Sequence, residues 1–451
     1  MTSSDERTEN YTMRIILFLV LICLMHLGQT EMEIQQPGSK HDEQNLLVNA
    51  LNEFGFNLLT KMMKSYPNEN IIISPASISC LLAMTLLGSV GRSYDELAKA
   101  LGFSEDILTN RHNHEMFGEL LQRVNSNDSW SKTMIADVVF VDKQSQLREA
   151  YRSYLHRVYK GDVLSVDFKD AVKVKEMINK WVSEQTKGRI DQFLKQSLPM
   201  NTKVVLLSAL YFSGQWAKSF IPEHTRKMPF TRVNDTIIAD VMLNWGKFDY
   251  IFSVKDGLHM IAFPYNDSVT TMYALKPRLS KELSLSDLMQ RLDYSKIDNL
   301  INQMARVDTI VRFPKMEIKS DVNLDSPLKD LGIKSIFNPN EANFALMIDT
   351  NTKVNKTQDK LISRINNGDV EPKGLKSIVN SLMNPGVYVD SVMHEVNLKI
   401  DEYGTEAVAA TSGILARTSE LFYADSPFYM FIRNEKTKLI TFSAVVFDPT
   451  V

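Results

Sequence analysis

Histidine and cysteine are the residues of this chain that most often bind metals or carry out catalysis, and the chain has 8 His and 2 Cys. No histidine belongs to an HExxH motif, and His112 and His114 are spaced so that a helix would point them apart. The Gly-X-Ser-X-Gly, Walker A, GxGxxG and Cys-X-X-Cys motifs are also missing from the sequence. We therefore expect no metal and no cofactor. An enzyme with dispersed catalytic residues stays an open alternative.

The segment Glu402–Tyr423 (EYGTEAVAATSGILARTSELFY) has the most unusual composition in the chain. Alternate positions in its first half are small and uncharged, namely Thr405, Ala407, Ala409 and Thr411. This alternation is typical of a segment that can become a strand with one face in a tight core. A flexible loop would have a similar composition, so both interpretations stay open here. Near the distal end, Arg417 is an isolated arginine that would fit a trypsin-like specificity pocket.

Hydrophobic patterns predict the elements that must position this segment. The spacing of apolar residues predicts an amphipathic helix from Leu47 to Met62, and Ala76–Leu87 is apolar enough to predict a helix buried on every side. Apolar runs typical of β-strands occupy Ile71–Ile73, Met134–Val141, Val204–Phe212, Met260–Pro264, Thr270–Leu275, Ile310–Phe313, Val396–Ile400, Phe428–Arg433 and Leu439–Phe447. Helices are concentrated in the first half and strands in the second, which favours an α+β fold.

Composition excludes several classes of protein. The 451 residues are 44% hydrophobic and 23% charged, as in an ordinary globular protein. The net charge of -3 gives no overall attraction to nucleic acid, so we expect no nucleic-acid partner. The stretch Asp349–Gly386 is rich in Asn, Lys and Ser and has little periodicity, which predicts an inserted loop at residues 349–386.

The amino terminus predicts secretion. The apolar run Ile15–Met25 follows Arg14 and is too short to span a membrane, which is typical of a signal peptide covering residues 1–29. A buried core helix is the alternative. Met13 is a candidate start codon, which would make residues 1–12 an upstream extension. We expect an extracellular protein with its folded domain at 30–451 and no membrane association.

Two further features fit secretion. Cleavage of the signal peptide would leave Cys80 as the remaining cysteine, so the domain must be stabilised by its core and not by a disulfide. Sequons predict N-glycosylation at Asn127, Asn234, Asn266 and Asn355.

A basic face is also predicted. Arg148, Arg152 and His156 are spaced by four residues on a predicted helix, with Arg157 and Lys160 nearby. Such a face is a candidate site for a polyanion such as heparin, and a simply solvated surface is the alternative.

Seven blocks of sequence, in order, resemble the serpin family over nearly all of the mature length. They are NIIISPASIS (70–79), NKWVSEQTKGRI (179–190), LSALYFSGQWAKSF (207–220), FPKM (313–316), LGIKSIF (331–337), GTEAVAAT (404–411) and DSPFYMFI (425–432). The resemblance implies a single domain with three β-sheets and eight or nine helices. It also implies a monomer with an exposed reactive centre loop at residues 402–423.

The resemblance further implies a mechanism. A serine protease cleaves the loop and forms an acyl-enzyme, the loop inserts as a new central strand, and the protease stays covalently trapped. Small residues at the hinge allow insertion, whereas bulky or charged inward residues would obstruct it. The hinge positions that suit an inhibitor are Glu402, Gly404, Thr405, Glu406, Ala407, Ala409, Ala410 and Thr411. Val408 departs mildly from the pattern and is expected to point outward.

The resemblance places the reactive bond between Arg417 and Thr418, with a trypsin-like target. Counting from the hinge instead selects Thr418, and counting back from Pro427 selects Leu415 to Arg417, so chymotrypsin- and elastase-like targets stay open. Residues that resemble the family's sheet-opening region are Ser74, Ser77, Trp216 and His394. The family usually has asparagine at Ser208, and we expect serine to remove one polar partner of His394 and to loosen the gate.

The resemblance to invertebrate serpins of immune and melanisation cascades suggests an extracellular regulatory role. The alternative within the family is a non-inhibitory serpin that acts as a carrier or chaperone. The small hinge residues Thr405, Ala407 and Ala409 favour the inhibitor.

Overall fold

The computed structural model describes residues 40–107, 109–125, 130–350, 356–367, 379, 382–404 and 419–451. Internal contacts divide the chain into Met1–Leu46, of which only the beginning of one helix is described, and Leu47–Val451. The predicted signal peptide, Asn127, Asn355 and the loop residues 405–418 lie outside the described residues. Those predictions therefore remain predictions.

The described residues form ten α-helices, whereas eight or nine were expected. They are α1 (Lys40–Ser65), α2 (Pro75–Gly88), α3 (Arg92–Leu101), α4 (Asn110–Val124), α5 (Glu149–Tyr159), α6 (Ala171–Gln185), α7 (Leu285–Arg291), α8 (Tyr294–Asn302), α9 (Asp325–Asp330) and α10 (Lys356–Asn367). None of the helices in the described part of the chain has the length and apolar character needed to cross a membrane.

The described strands form three sheets. The strands are β1 (Ile71–Ile73), β2 (Ser131–Asp142), β3 (Gln146–Leu147), β4 (Asp162–Val166), β5 (Val204–Gly214), β6 (Arg226–Thr231), β7 (Thr236–Ser253), β8 (Leu258–Pro264), β9 (Thr270–Pro277), β10 (Ala305–Pro314), β11 (Met316–Asn323), β12 (Ile348–Asp349), β13 (Val389–Ile400), β14 (Glu420–Tyr423), β15 (Phe428–Asn434) and β16 (Ile440–Val446). The predicted α+β class is confirmed.

The strand order explains which parts of the molecule are central. One sheet has five strands in the order β11-β13-β5-β2-β4. A nine-stranded sheet runs β1-β16-β15-β9-β8-β7-β10-β14, with β6 paired to β7, and β12 pairs with β3. All eleven residues of β5 are buried, as its continuous apolar sequence predicts.

Helix α2 lies at the centre of the core. It contacts β2 and β5 of the five-stranded sheet and β16 of the nine-stranded sheet. Nearly all of its residues are buried, because the sequence offers no polar face. Ser74 caps the helix by accepting a hydrogen bond from the backbone N–H of Ser77, and Pro75 occupies the first turn.

Two differences from the predicted elements have clear physical reasons. Strand β7 was not predicted, because its buried and exposed residues alternate and never form a continuous apolar run. The segment predicted as an inserted loop contains helix α10, which buries Ile362 and leaves its opposite face exposed. The amphipathic pattern of α10 is short and lies within a polar stretch, so the sequence does not indicate this helix.

Arg148 does not belong to an exposed basic face, so that part of the polyanion prediction is wrong. It precedes the first turn of α5, and its guanidinium lies 3.2 Å from the Asp349 carboxylate, with side chains that are 3% and 1% exposed. Its Nε also donates to the Ala345 carbonyl at 2.9 Å. The residue is buried because it joins α5 to the chain that precedes α10. The remaining basic residues Arg152, His156, Arg157 and Lys160 are exposed.

Replacing Arg148 with Ala should lower the free energy of unfolding by about 3 kcal/mol, since the buried Asp349 carboxylate would lose the guanidinium that lies 3.2 Å away. The matched variant Arg152→Ala removes an exposed arginine of the same helix and should change stability by less than about 0.5 kcal/mol. Chemical denaturation followed by circular dichroism measures both. Equal, small effects would show that the buried pair does not stabilise the fold.

Candidate functional site

The two central parallel strands of the five-stranded sheet separate at one end. β13 pairs with β5 from Val389/Val204 to Asn397/Tyr211, and the pairing ends there. Beyond that point, residues 398–400 pair with β11 and residues 212–214 pair with β2. Within the described chain, these two runs do not pair with each other. Parallel pairing is slightly less stable than antiparallel pairing, and β13 with β5 is one of two parallel pairings among the described strands of this sheet, β2 with β4 being the other. We call the boundary between β13 and β5 the weak line.

A tight turn follows β13 at the open end. Asp401 and Gly404 form an antiparallel bridge, with the Asp401 N–H donating to the Gly404 carbonyl at 2.9 Å. Gly404 has a φ of 133°, and a Cβ there would lie 2.1 Å from the Gly214 carbonyl oxygen. Glycine is therefore required at this position. Gly404 also forms a bridge with Gln215, just beyond the end of β5.

Glu402 anchors the turn. Its carboxylate lies 2.9 Å from the Lys315 ammonium and accepts a hydrogen bond from the Thr225 hydroxyl at 2.8 Å. Burial alone would raise the pKa of Glu402, but the hydrogen bonds from Lys315 and Thr225 more than compensate and lower it. Glu402 is therefore charged near neutral pH, and it fixes the start of the predicted reactive loop.

Trp216 closes the entrance between the strands. Its backbone N–H donates to the Tyr403 carbonyl and its indole N–H donates to the Asp401 carbonyl, both at 3.0 Å. The indole stacks on the Tyr265 ring with centroids 4.4 Å apart. Trp216 thus ties the turn after β13 to the chain that follows β5.

The distal end of the predicted loop is also fixed. β14 pairs in parallel with β10, and the Lys276 ammonium donates to the Tyr423 carbonyl at 2.7 Å. The guanidinium of Arg312 lies over the Tyr423 ring at 4.2 Å from its centroid. The described residues on the two sides of the predicted loop are therefore attached to two different sheets.

His394 lies in the middle of the weak line. Its Nε2 accepts a hydrogen bond from the backbone N–H of Ser74 at 2.9 Å, and its Nδ1 lies 3.2 Å from the Ser208 hydroxyl. Since Nε2 is the acceptor, the neutral ring carries its proton on Nδ1 and donates to Ser208. Burial lowers the pKa of His394 to about 3, so the ring is neutral at physiological pH.

The hydrogen bonds continue away from His394 in one direction. The Ser208 hydroxyl donates to Ser77 Oγ at 2.9 Å, and Ser77 donates to Asp137 Oδ1 at 2.9 Å. The network joins β13, β5, α2 and β2 beneath the line where the strands meet. The predicted sheet-opening residues Ser74, Ser77 and His394 all belong to it.

The expected effect of Ser208 on His394 is wrong. In the parallel register His394 lies directly opposite Ser208, so even a short serine side chain reaches the imidazole. The serine therefore keeps a polar partner for His394, where we expected it to remove one.

Asp137 is the member of the network that the sequence analysis missed. It is 6% exposed, and burial raises its pKa to about 7, although the neighbouring polar side chains of Ser208, Cys80 and Ser77 act to lower it. Burial and the charge of Asp137 raise the pKa of Cys80. The available signal was a single acidic residue inside the apolar run Met134–Val141.

The other described candidates lie outside this region. Asn234 and Asn266 are exposed on the turns that join β6 to β7 and β8 to β9. Among the described residues, no group of three or more His, Cys, Asp or Glu side chains is placed to hold a metal ion.

Comparisons with known proteins agree with this geometry. The profile of the family described as Serpin (serine protease inhibitor) matches residues 49–449. Plasminogen activator inhibitor 1 of Sus scrofa is 27% identical over 96% of this chain and 99% of its own. Leukocyte elastase inhibitor of Xenopus laevis is 29% identical, over 88% of this chain and 97% of its own. Native protease nexin-1 with heparin has a TM-score of 0.73 at 23% identity and covers 90% of this chain and 100% of its own.

The buried carboxyl of Asp137 predicts a pH dependence. Its folded pKa of about 7 lies above the ordinary value of 3.8, so the folded state binds a proton more tightly than the unfolded state. The stability this contributes is complete below pH 4 and is lost as the pH rises through about 7.

The matched variant is Asp137→Asn, which keeps an acceptor for Ser77 and cannot ionise. The free energy of unfolding of the native chain relative to this variant should fall between pH 4 and 7, by at most about 1.4 kcal/mol per pH unit. Denaturant titrations at several pH values measure the difference. A constant difference would mean that Asp137 does not titrate in this range.

Proposed function

Because the chain belongs to the serpin family of serine protease inhibitors, we propose that it traps a trypsin-like serine protease with the loop at residues 402–423. The protease serine hydroxyl attacks the carbonyl carbon of Arg417. An ester bond forms, the peptide bond to Thr418 breaks, and the new amino group of Thr418 leaves with a proton. The loop then inserts into the five-stranded sheet before water can hydrolyse the ester. The chain is consumed as an inhibitor and does not turn over.

The antiparallel bridge between Asp401 and Gly404 is the observation that carries this proposal. If this pairing is extended, each step forward in the loop is matched by one step back along β13, and this register gives the partners of an inserted loop. Thr405, Ala407, Ala409, Thr411 and Gly413 would lie opposite Ile400, Leu398, Val396, His394 and Val392. Each of these five β13 residues is buried. The small, uncharged positions of the loop therefore coincide with the buried face of the sheet.

The same geometry supplies a driving force. An inserted strand would run antiparallel to both β13 and β5, so one parallel pairing would be replaced by two antiparallel pairings. Thr411 would enter between His394 and Ser208 and break their hydrogen bond. The closed sheet is thus held by the polar network, while the inserted sheet gains backbone hydrogen bonds.

The register also supports the choice of reactive bond. It places Arg417 opposite Tyr388, one residue before β13 begins at Val389. Cleavage after Arg417 would therefore give a strand that spans the full length of β13 and leaves the protease at the far end of the sheet. Cleavage after Leu415 or Thr418 would instead indicate a chymotrypsin- or elastase-like target.

The proposed setting is extracellular. The apolar run Ile15–Met25 and the exposed sequon residues Asn234 and Asn266 support secretion and glycosylation. A role in an immune or melanisation cascade rests on the resemblance to invertebrate serpins. We further propose a polyanion such as heparin as a partner, since protease nexin-1 is described with heparin and basic residues such as Arg152 and Lys160 are exposed here.

Incubation of the purified protein with trypsin, chymotrypsin and elastase, followed by denaturing electrophoresis, tests the mechanism and the site together. We expect a covalent complex with trypsin and a released peptide that begins at Thr418. Cleavage without a complex, and without a gain in heat stability, would contradict inhibition and favour the carrier or chaperone alternative.

A matched pair of variants tests the register. Ala409→Lys would place a charged side chain opposite buried Val396, so the loop should be cleaved without forming a complex. Ala410→Lys would lie opposite half-buried Glu395 on the other face and should still form the complex. The number of inhibitor molecules used per trypsin molecule measures both. Equal behaviour of the two variants would refute the register.

A further inference from the structure

Helix α10 carries a stripe of basic side chains on its outward face. Lys356, Lys360 and Arg364 are spaced by four residues and are all exposed, so they extend over about 12 Å along the helix. Ile362 is buried on the opposite face. The one acidic residue of the helix, Asp359, accepts a hydrogen bond from the backbone N–H of Ala150 and does not join the stripe.

Helix α10 is held against α5 along its whole length. At one end, Arg148 donates to Gln358 at 3.4 Å. At the other end, the Arg157 guanidinium donates to the Asn366 carbonyl and to Asn367 Oδ1 at 3.1 and 3.0 Å. The two helices therefore lie side by side, and each has exposed basic side chains.

The exposed side of α5 and its C-terminal residue extend the basic character. Arg152, Arg157 and Lys160 are exposed there, while the exposed acidic residue of the two described helices is Glu149. Arg157 also lies 3.7 Å from Glu115 of α4, so its charge is partly compensated. The whole chain has a net charge of -3, whereas the exposed charged side chains of these two helices are mostly positive.

We propose that the surface formed by Lys356, Lys360 and Arg364 of α10, together with Arg152 and Lys160 beside α5, binds a sulfated polysaccharide. A line of cations along a helix matches a linear polymer of sulfate groups, and release of counterions would drive the binding. This assignment specifies the site of the polyanion partner proposed above. Three of the five proposed basic residues lie on α10. The sequence had instead predicted a site on the α5 face that included Arg148.

The test uses heparin as the probe and two triple variants with the same change in charge. The first is Lys356→Gln, Lys360→Gln and Arg364→Gln combined, which keeps good helix formers on an exposed face. The control is Lys169→Gln, Lys173→Gln and Lys180→Gln combined, which removes three exposed lysines in and beside α6. Affinity is measured by titration at several salt concentrations, with circular dichroism to compare the folds.

The α10 triple variant should lower the slope of log affinity against log salt by about two to three, and the control by less than about one. Equal slopes for the two variants would overturn the proposed site. Equal affinity of the native chain for heparin and for single-stranded DNA of matched charge would overturn the choice of ligand. The assay contains no protease, so its failure would leave the inhibitory function standing, and a failure of inhibition would leave this site standing.

Discussion

The hydrogen bond between His394 and Ser208 joins two parallel strands at the one line of the sheet that the proposed function requires to open. A neutral imidazole suits this position, because it can accept from Ser74 on one side and donate to Ser208 on the other. The bond is buried, so breaking it leaves polar groups unsatisfied unless a new strand replaces it. The contact that closes the sheet is thus the one that the proposed insertion would have to break.

The rest of the site limits where a new strand can enter. Gly404 permits the tight turn that reverses the chain, and the ion pair of Glu402 with Lys315 holds the start of that turn. Trp216 binds both sides of the entrance. In the proposed mechanism these contacts would set the register of insertion, and the alternation of small residues after Gly404 would match that register.

The sequence predicted those parts of the molecule that depend on local pattern. Continuous apolar runs located β5 and α2. The inserting face predicted from the alternation after Gly404 lies outside the described residues and stays a prediction. The sequence did not predict β7, which has no long apolar run, or α10, whose apolar face is narrow. Contacts between residues distant in sequence could not be predicted either. Arg148 contacts Asp349 only in the folded chain, and Asp137 accepts from Ser77 only when β2 packs on α2.

The central claim is that the cleaved loop enters between β13 and β5 in the register set by Asp401 and Gly404. A crystal structure of the chain after cleavage at the Arg417–Thr418 bond tests it most directly. We expect a new antiparallel strand with Ala409 opposite Val396 and Thr411 between His394 and Ser208. The proposed insertion would be contradicted by a cleaved chain in which β13 and β5 remain paired and the His394–Ser208 hydrogen bond is intact.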